Sequence, residues 1–231
     1  MDLNVIFEDN HLIVINKQAG TLVQGDETGD EPLNDLVKSY IKTKYNKPGD
    51  VFLGTVHRLD RPTSGIVLFA KTSKALTRMN ELFKTKDIQK TYWAITEKEP
   101  AKKNGVCVDY LVKNEKQNKS SVKSEKTPGA KRAELSYRLI GKGENYSFIE
   151  VNPSTGRHHQ IRVQLSTIGC IIKGDLKYGA KRSNKDGSIS LHARKLVFKH
   201  PVKDEKVEII ANPPDDPVWN AFLKLSLSHS A

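Results

Sequence analysis

Apolar residues recur along the chain with two different periods, and each period predicts a different element. Strict alternation, the spacing of a half-buried strand, runs through residues 88–96, 132–140 and 146–151. Shorter apolar runs at 5–7, 12–16, 51–56 and 66–71 read as further strands, with Glu8-Asp9-Asn10 as a turn between the first two. Two late strands are expected at 196–198 and 207–211. Helical spacing predicts a helix over 32–44, where Leu33, Leu36, Val37, Tyr40 and Ile41 share a face and Pro32 suits the first turn. A second helix over 74–86 places Leu76, Met79 and Phe83 together behind a Ser73 cap, a third covers 158–168, and a terminal one follows Pro213-Pro214 over 218–227. Strands at hairpin spacing with few helices do not make serial βαβ units. They predict an α+β fold around a central mixed, mostly antiparallel sheet flanked by helices and loops. No repeat or composition break divides residues 1–231, so a single domain is expected. The polar segment 113–131 carries six lysines and is expected to be a flexible, solvated loop.

Composition narrows the class. With 37% hydrophobic residues in 231, the chain can build a core, which excludes collagen-like and wholly disordered proteins. No apolar run approaches the roughly 20 residues of a bilayer span, and the opening MDLNVIFEDN lacks the basic region of a secretory signal. Cys107 and Cys170 are too few for a disulfide framework, so a cytoplasmic protein is expected. The net charge of +11 favours a polyanionic partner. Nucleic acid ranks before a membrane surface, because no basic amphipathic helix with an aromatic face is present.

Phosphate-loop, dinucleotide, zinc-protease, CxxC and GxSxG patterns are absent from the sequence. His158-His159 is the only histidine pair, and adjacent helical residues point about 100° apart, so no metal site is expected there. The segment HRLDRPTSG (57–65) stands out. Between two apolar runs it places a charged tetrad followed by turn residues, which presents Asp60 on a loop held by a rigid sheet. Taken alone it reads more readily as a turn in which Asp60 bonds local backbone and Arg58 faces water. KTYWA (90–94) puts Tyr92 on an alternating strand, and GRHHQIRVQL (156–165) puts Arg157, His158 and Arg162 in the first turns of a helix. Singly these read as a cross-strand aromatic and a solvated helix start. An inward Arg162 requires a carboxylate, and Asp60 is the obvious candidate.

In this order and spacing the three segments resemble the signatures of the RluA-type pseudouridine synthases. VIFEDNHLIVINKQAG resembles that family's opening strand pair, GDLKYG (174–179) a later loop, and LHARKLVFKHP (191–201) the closing stretch. The resemblance implies the pseudouridine-synthase fold with a catalytic cleft along the sheet, without the small RNA-binding domain that precedes many members. It also implies isomerisation of uridine to pseudouridine in ribosomal or transfer RNA, with no cofactor and no metal. Asp60 would be the catalytic carboxylate, Arg162 its partner and Tyr92 the aromatic against the base. Arg58 would hold the space left by a flipped nucleotide. Thr63, Ser64, Gly65, Arg157, His158 and Ile161 would complete the substrate contacts, His158 standing where the family usually has threonine. From charge alone, Lys71, Lys74, Arg78 and Lys90 are expected to hold phosphates. A monomer without an obligatory protein partner is expected. Two other classes compete: a non-catalytic RNA-binding or folding module, and a two-carboxylate glycosidase or nucleosidase using Asp175 or Glu150 as its second acid.

Overall fold

A computed structural model describes residues 3–27 and 29–228. Met1, Asp2, Thr28 and residues 229–231, which the single-domain expectation includes, lie outside the described residues. The chain forms two compact units. One comprises the chain up to Gln89 together with Ala193–Asn212, the other Lys90–His192 together with the chain from Pro213. No composition break marks this division, because each unit is assembled from segments distant in sequence.

In the first unit the strands are β1 (Val5–Glu8), β2 (Leu12–Lys17), β3 (Gly54–Thr55) and β4 (Ser64–Ala70), with β11 (Lys206–Ile210) and the larger part of β10 (Leu191–Lys199). β2 pairs antiparallel with β1 and β4, and β10 with β11. β4 is buried at every position and β2 at all but Asn16, which explains why both read as continuous apolar runs rather than alternation. Helix α1 (Leu33–Lys44) buries Leu33, Val37 and Ile41, the stripe its spacing predicts. Helix α2 (Ser73–Thr85) is capped by Thr72, whose hydroxyl accepts from the Ala75 amide at 3.2 Å, one residue before the expected Ser73.

The second unit orders its strands β5 (Ile88–Thr96), β9 (Ser147–Pro153), β8 (Lys131–Lys142), β6 (Asn104–Asn114) and β7 (Lys119–Lys123), each antiparallel to its neighbour. Alternation along β5 sorts its side chains between two cores. Ala94, with Tyr92 packed against it, joins the cluster under α3 (Gln160–Thr167). Trp93 and Ile95 join Phe148, Trp219 and Phe222, the last two from α4 (Pro217–Ser228). The segment 113–131, expected as a loop, instead contains the end of β6, a turn at 115–118, and β7. Both strands escaped detection because Val106 and Val108 are exposed on β6, so no clean alternation marks it. Helices flanking largely antiparallel strands make the fold α+β. Both cysteines are buried and free.

Candidate active-site residues

Asp60 lies in a tight turn leading into β4. Its carbonyl accepts from the Thr63 amide at 3.0 Å, and Leu59 before it is buried. The next peptide is held from the loop after β2: the Gly20 amide donates to the Arg61 carbonyl at 2.8 Å, and Arg61 Nε returns a bond to the Gly20 carbonyl at 2.9 Å. Gly20 has φ +91°, a conformation glycine adopts without steric cost. Ahead of the turn, His57 Nε2 accepts from the Leu68 amide at 3.2 Å while its ring stacks on Phe83 at 5.1 Å. The His57 Nε2 is therefore unprotonated.

Beyond the turn, Thr63 and Ser64 are buried, and the Thr63 hydroxyl has no hydrogen-bond partner. Gly65, the second residue of β4, has φ +111°, and a Cβ there would be driven into the backbone of Ala193 on β10. Thr63, Ser64 and Gly65 thus build the approach to the strand. Asp60 itself is half-buried, and Arg58 is exposed, its Nη1 donating to Gln24 Oε1 at 3.4 Å. Lys71, expected to hold phosphate, is instead committed internally: its ammonium donates to Glu8 Oε1 and the Asp9 carbonyl, both at 2.7 Å. Three cationic and phenolic partners, Lys44, Lys71 and Tyr45, outweigh the burial of Glu8 and hold its carboxyl down at about 2. Arg78 Nη1 donates to the Pro201 carbonyl at 2.6 Å.

In the second unit, α3 is buried at six successive positions, Gln160 to Leu165, and not along one face only. Gln160 explains its entry: its Oε1 accepts from Thr155 Oγ1 at 2.7 Å and the Arg157 amide at 3.0 Å, while its Nε2 donates to the Glu134 carbonyl. Arg162, 5% exposed, donates Nε and Nη2 to the two carboxylate oxygens of Asp175 at 2.7 and 2.8 Å, with Asp175 itself 1% exposed. The Tyr178 ring lies 5.1 Å from the same guanidinium. Asp175 was weighed from sequence only as a second acid for a hydrolase. A carboxylate bound in two places by a buried arginine is poorly placed to exchange protons, and Glu150, on β9, is paired with Arg138 at 3.1 Å. Both observations count against the two-carboxylate reading.

Tyr92 sits opposite Val151, which in turn sits opposite Tyr137, so the three form one row across β5, β9 and β8. Ile161 belongs to the cluster against which Tyr92 packs. Arg157 Nε donates to the Arg132 carbonyl at 3.0 Å. The two histidine rings stack at 3.8 Å, His158 reaching Ser120 Oγ and Asn118 Oδ1, and His159 Nδ1 reaching the Tyr178 hydroxyl. Burial, then the positive charge of Arg162 and its neighbours, pushes His159 down to about 2, so it is neutral. Among the described residues no group of three His, Cys, Asp or Glu is arranged to hold a metal ion. Tyr178 and Lys17 lie in the segments GDLKYG and VIFEDNHLIVINKQAG that carry the resemblance, but neither is expected from sequence as a site residue. Gly174 and Gly179, which bracket the Tyr178 turn, and a lone lysine closing the run LIVIN were the available traces.

Residues 11–167 match the family described as RNA pseudouridylate synthase. A relative from Vibrio parahaemolyticus, named ribosomal large subunit pseudouridine synthase C, is 33% identical over 213 residues, covering 90% of this chain and 64% of its own length. A relative from Zymomonas mobilis, named ribosomal large subunit pseudouridine synthase D, is 33% identical over 224 residues, covering 93% of this chain and 70% of its own. The chain therefore spans somewhat less than two thirds of the length of the Vibrio relatives it matches. The solved structure of human RNA pseudouridylate synthase domain containing 4 superposes with a TM-score of 0.77 at 27% identity, over 97% of this chain and 92% of that one. Human RNA pseudouridylate synthase domain containing 1, at 23% identity and a TM-score of 0.70, has the same fold. The matched range contains HRLDRPTSG, KTYWA and GRHHQIRVQL, and this chain belongs to the RNA pseudouridylate synthase family.

Proposed function

We propose that the protein is an RNA pseudouridine synthase that isomerises uridine in ribosomal RNA, with transfer RNA as the second candidate substrate. The reaction breaks the C1′–N1 glycosidic bond, turns the uracil, joins C5 to C1′, releases the C5 proton and leaves a proton on the freed N1. Atoms balance without a redox partner, so neither cofactor nor metal is needed. Asp60 is the carboxylate that assists at the sugar or base. Tyr92 stacks on the uracil and takes part in removing the C5 proton, Arg162 supplies positive charge for the carboxylate, and Ile161 lines the apolar wall. The target nucleotide leaves its stack, at a cost of a few kcal/mol. Arg58 fills the space it vacates, while Arg157, His158, Thr63, Ser64 and Gly65 complete the substrate contacts.

The observation that carries this reading is the Asp60 turn: a half-buried carboxylate on a main chain pinned at both following peptides, inside the stretch that matches the family. The printed names of the curated relatives favour large-subunit ribosomal RNA. We further infer a cytoplasmic monomer acting without an obligatory protein partner. The test is release of tritium from RNA labelled at uridine C5, with carbodiimide mapping of the product. Wild type releases label, and Asp60→Asn lowers turnover at least about a thousandfold while RNA affinity stays within about threefold. Wild type that releases no label from the RNA of a deletion strain, or free uracil among the products, overturns the reading. An Asp60→Asn variant that rescues a deletion phenotype points instead to the RNA-folding module.

A further inference from the structure

The segment between β2 and α1 reaches the arginines on both sides of Asp60. Its neck is closed by main-chain bonds. The Leu33 amide donates to the Leu22 carbonyl at 2.7 Å and the Asn34 amide to the Val23 carbonyl at 3.2 Å, with Val23 and Leu33 buried. Beyond that neck, Gln24 Oε1 accepts from Arg58 Nη1 at 3.4 Å, and Asp30 Oδ2 pairs with Arg61 Nη2 at 2.7 Å. Arg61 Nε donates to the Gly20 carbonyl, so one guanidinium joins the start of the segment to Asp30. Arg58 stands two residues before Asp60 and Arg61 one residue after it. Both cations flanking the proposed carboxylate therefore find partners in one short stretch of the same unit.

The charge of this stretch opposes that of the chain around it. Residues 24–32, QGDETGDEP, hold Asp26, Glu27, Asp30 and Glu31 and no cation, in a protein of net charge +11. Carboxylates beside the turn repel an incoming polyanion, and one seated on a guanidinium takes the donors a phosphodiester would use. The turn has its own main-chain support in the Gly20 and Thr63 amides. The Arg61 and Asp30 side chains are 45% and 53% exposed, a setting in which an ion pair is weak and readily exchanged. Such a pair is a poor brace and a good competitor. We infer that Gln24 and Asp30 are an internal competitor for RNA: they take up on Arg58 and Arg61 the places of a phosphodiester, and RNA displaces them to reach Asp60. This rests on the RNA reaction proposed above.

Exchange of this kind has a signature in salt. A phosphate that lands on an arginine releases the cations condensed around it, which makes affinity fall as salt rises. When the arginine must first leave a carboxylate, the freed Asp30 gathers cations back from solution and cancels part of that release. Removing the carboxylate therefore steepens the salt dependence, by up to about 0.7 in the slope of log K against log salt for one single-strand contact. It also tightens binding, and the weakness of an exposed pair limits the gain to about fivefold. The chemistry at Asp60 is untouched once RNA is bound.

The experiment follows binding of a fluorescein-labelled oligouridylate and of total ribosomal RNA across a salt series, beside single-turnover tritium release at saturating RNA. Asp30→Asn is expected to tighten binding of both RNAs about three- to fivefold at low salt and to steepen the salt slope. Gln24→Ala adds a smaller gain. The single-turnover rate of both variants stays within about twofold of wild type. In an Arg61→Gln background, Asp30→Asn changes binding no further, because the contact it relieves is already gone. Glu27→Gln removes the same charge from the same stretch and gains less. Unchanged or weaker binding by Asp30→Asn overturns the inference, as does an equal gain from Glu27→Gln or in the Arg61→Gln background. A slower single turnover at unchanged affinity also overturns it and assigns the Asp30–Arg61 pair to holding the turn. Wild type that binds both RNAs and releases no label refutes the proposed reaction instead, and the binding series then still decides the competition.

Discussion

In the first unit a carboxylate rides half-buried on a turn whose main chain is gripped by Lys17 and Gly20, whereas in the second a fully buried guanidinium is gripped through its own side chain by Asp175. The first arrangement fixes the backbone that carries Asp60. The second fixes the tip and takes Arg162 out of water. The difference fits the roles proposed for the two side chains. A group that forms or polarises bonds must stay accessible, while one that only supplies charge is best held rigid where the dielectric is low. Desolvating a lone arginine is expensive, so its rigidity requires a partner carboxylate on the same unit.

The largest effect is expected from breaking the second arrangement. Arg162→Met leaves Asp175 buried without its counter-ion and should cost about 3–5 kcal/mol in urea unfolding, with activity lost. The double variant Arg162→Met with Asp175→Leu should recover most of that stability and none of the activity. Recovery of both would show that the pair serves the fold alone. Next comes an acid limb that belongs to the second unit. His159 is held neutral down to about pH 2, against 6.5 when exposed, so its contribution to stability is complete above 6.5 and is lost as the pH falls below it. The slope should be about 1.4 kcal/mol per unit between pH 6 and 4, and it should disappear in His159→Gln. A slope unchanged by that substitution assigns the limb to other groups. The smallest effect falls on the first unit. His57→Phe keeps the stack on Phe83 and deprives the Leu68 amide of its acceptor, which should cost about 1–2 kcal/mol and affect the tritium assay only through stability.

Much of this was legible in the chain. Alternation along 88–96 placed Tyr92 opposite in sense to Trp93, and the pair divides between two cores as the pattern required. The stripe through Leu33, Val37 and Ile41 predicted α1, and three segments carried the family likeness. Other features were missed for a common reason. The strands in 104–123 bury only Cys107 and Leu111 fully among their apolar residues, and are held largely by cross-strand bonds to β8 and by Tyr178, whose hydroxyl takes the Ser120 amide. Lys71 reads in sequence as a phosphate-holding lysine, whereas in the fold Glu8 and the Asp9 carbonyl take its ammonium.

The sequence by itself determined the fold class and the main elements, because these depend on the local choice between water and core, a choice that residue type and spacing encode directly. Only the tertiary structure decided what each charged group is spent on. Lys17 is the residue after an apolar run in sequence and a three-carbonyl clamp in space, and Asp175 is a candidate second acid in sequence and the seat of a buried arginine in space. Pairing energies depend on distances between residues far apart along the chain and on the water excluded around them. Neither quantity is written in any local pattern.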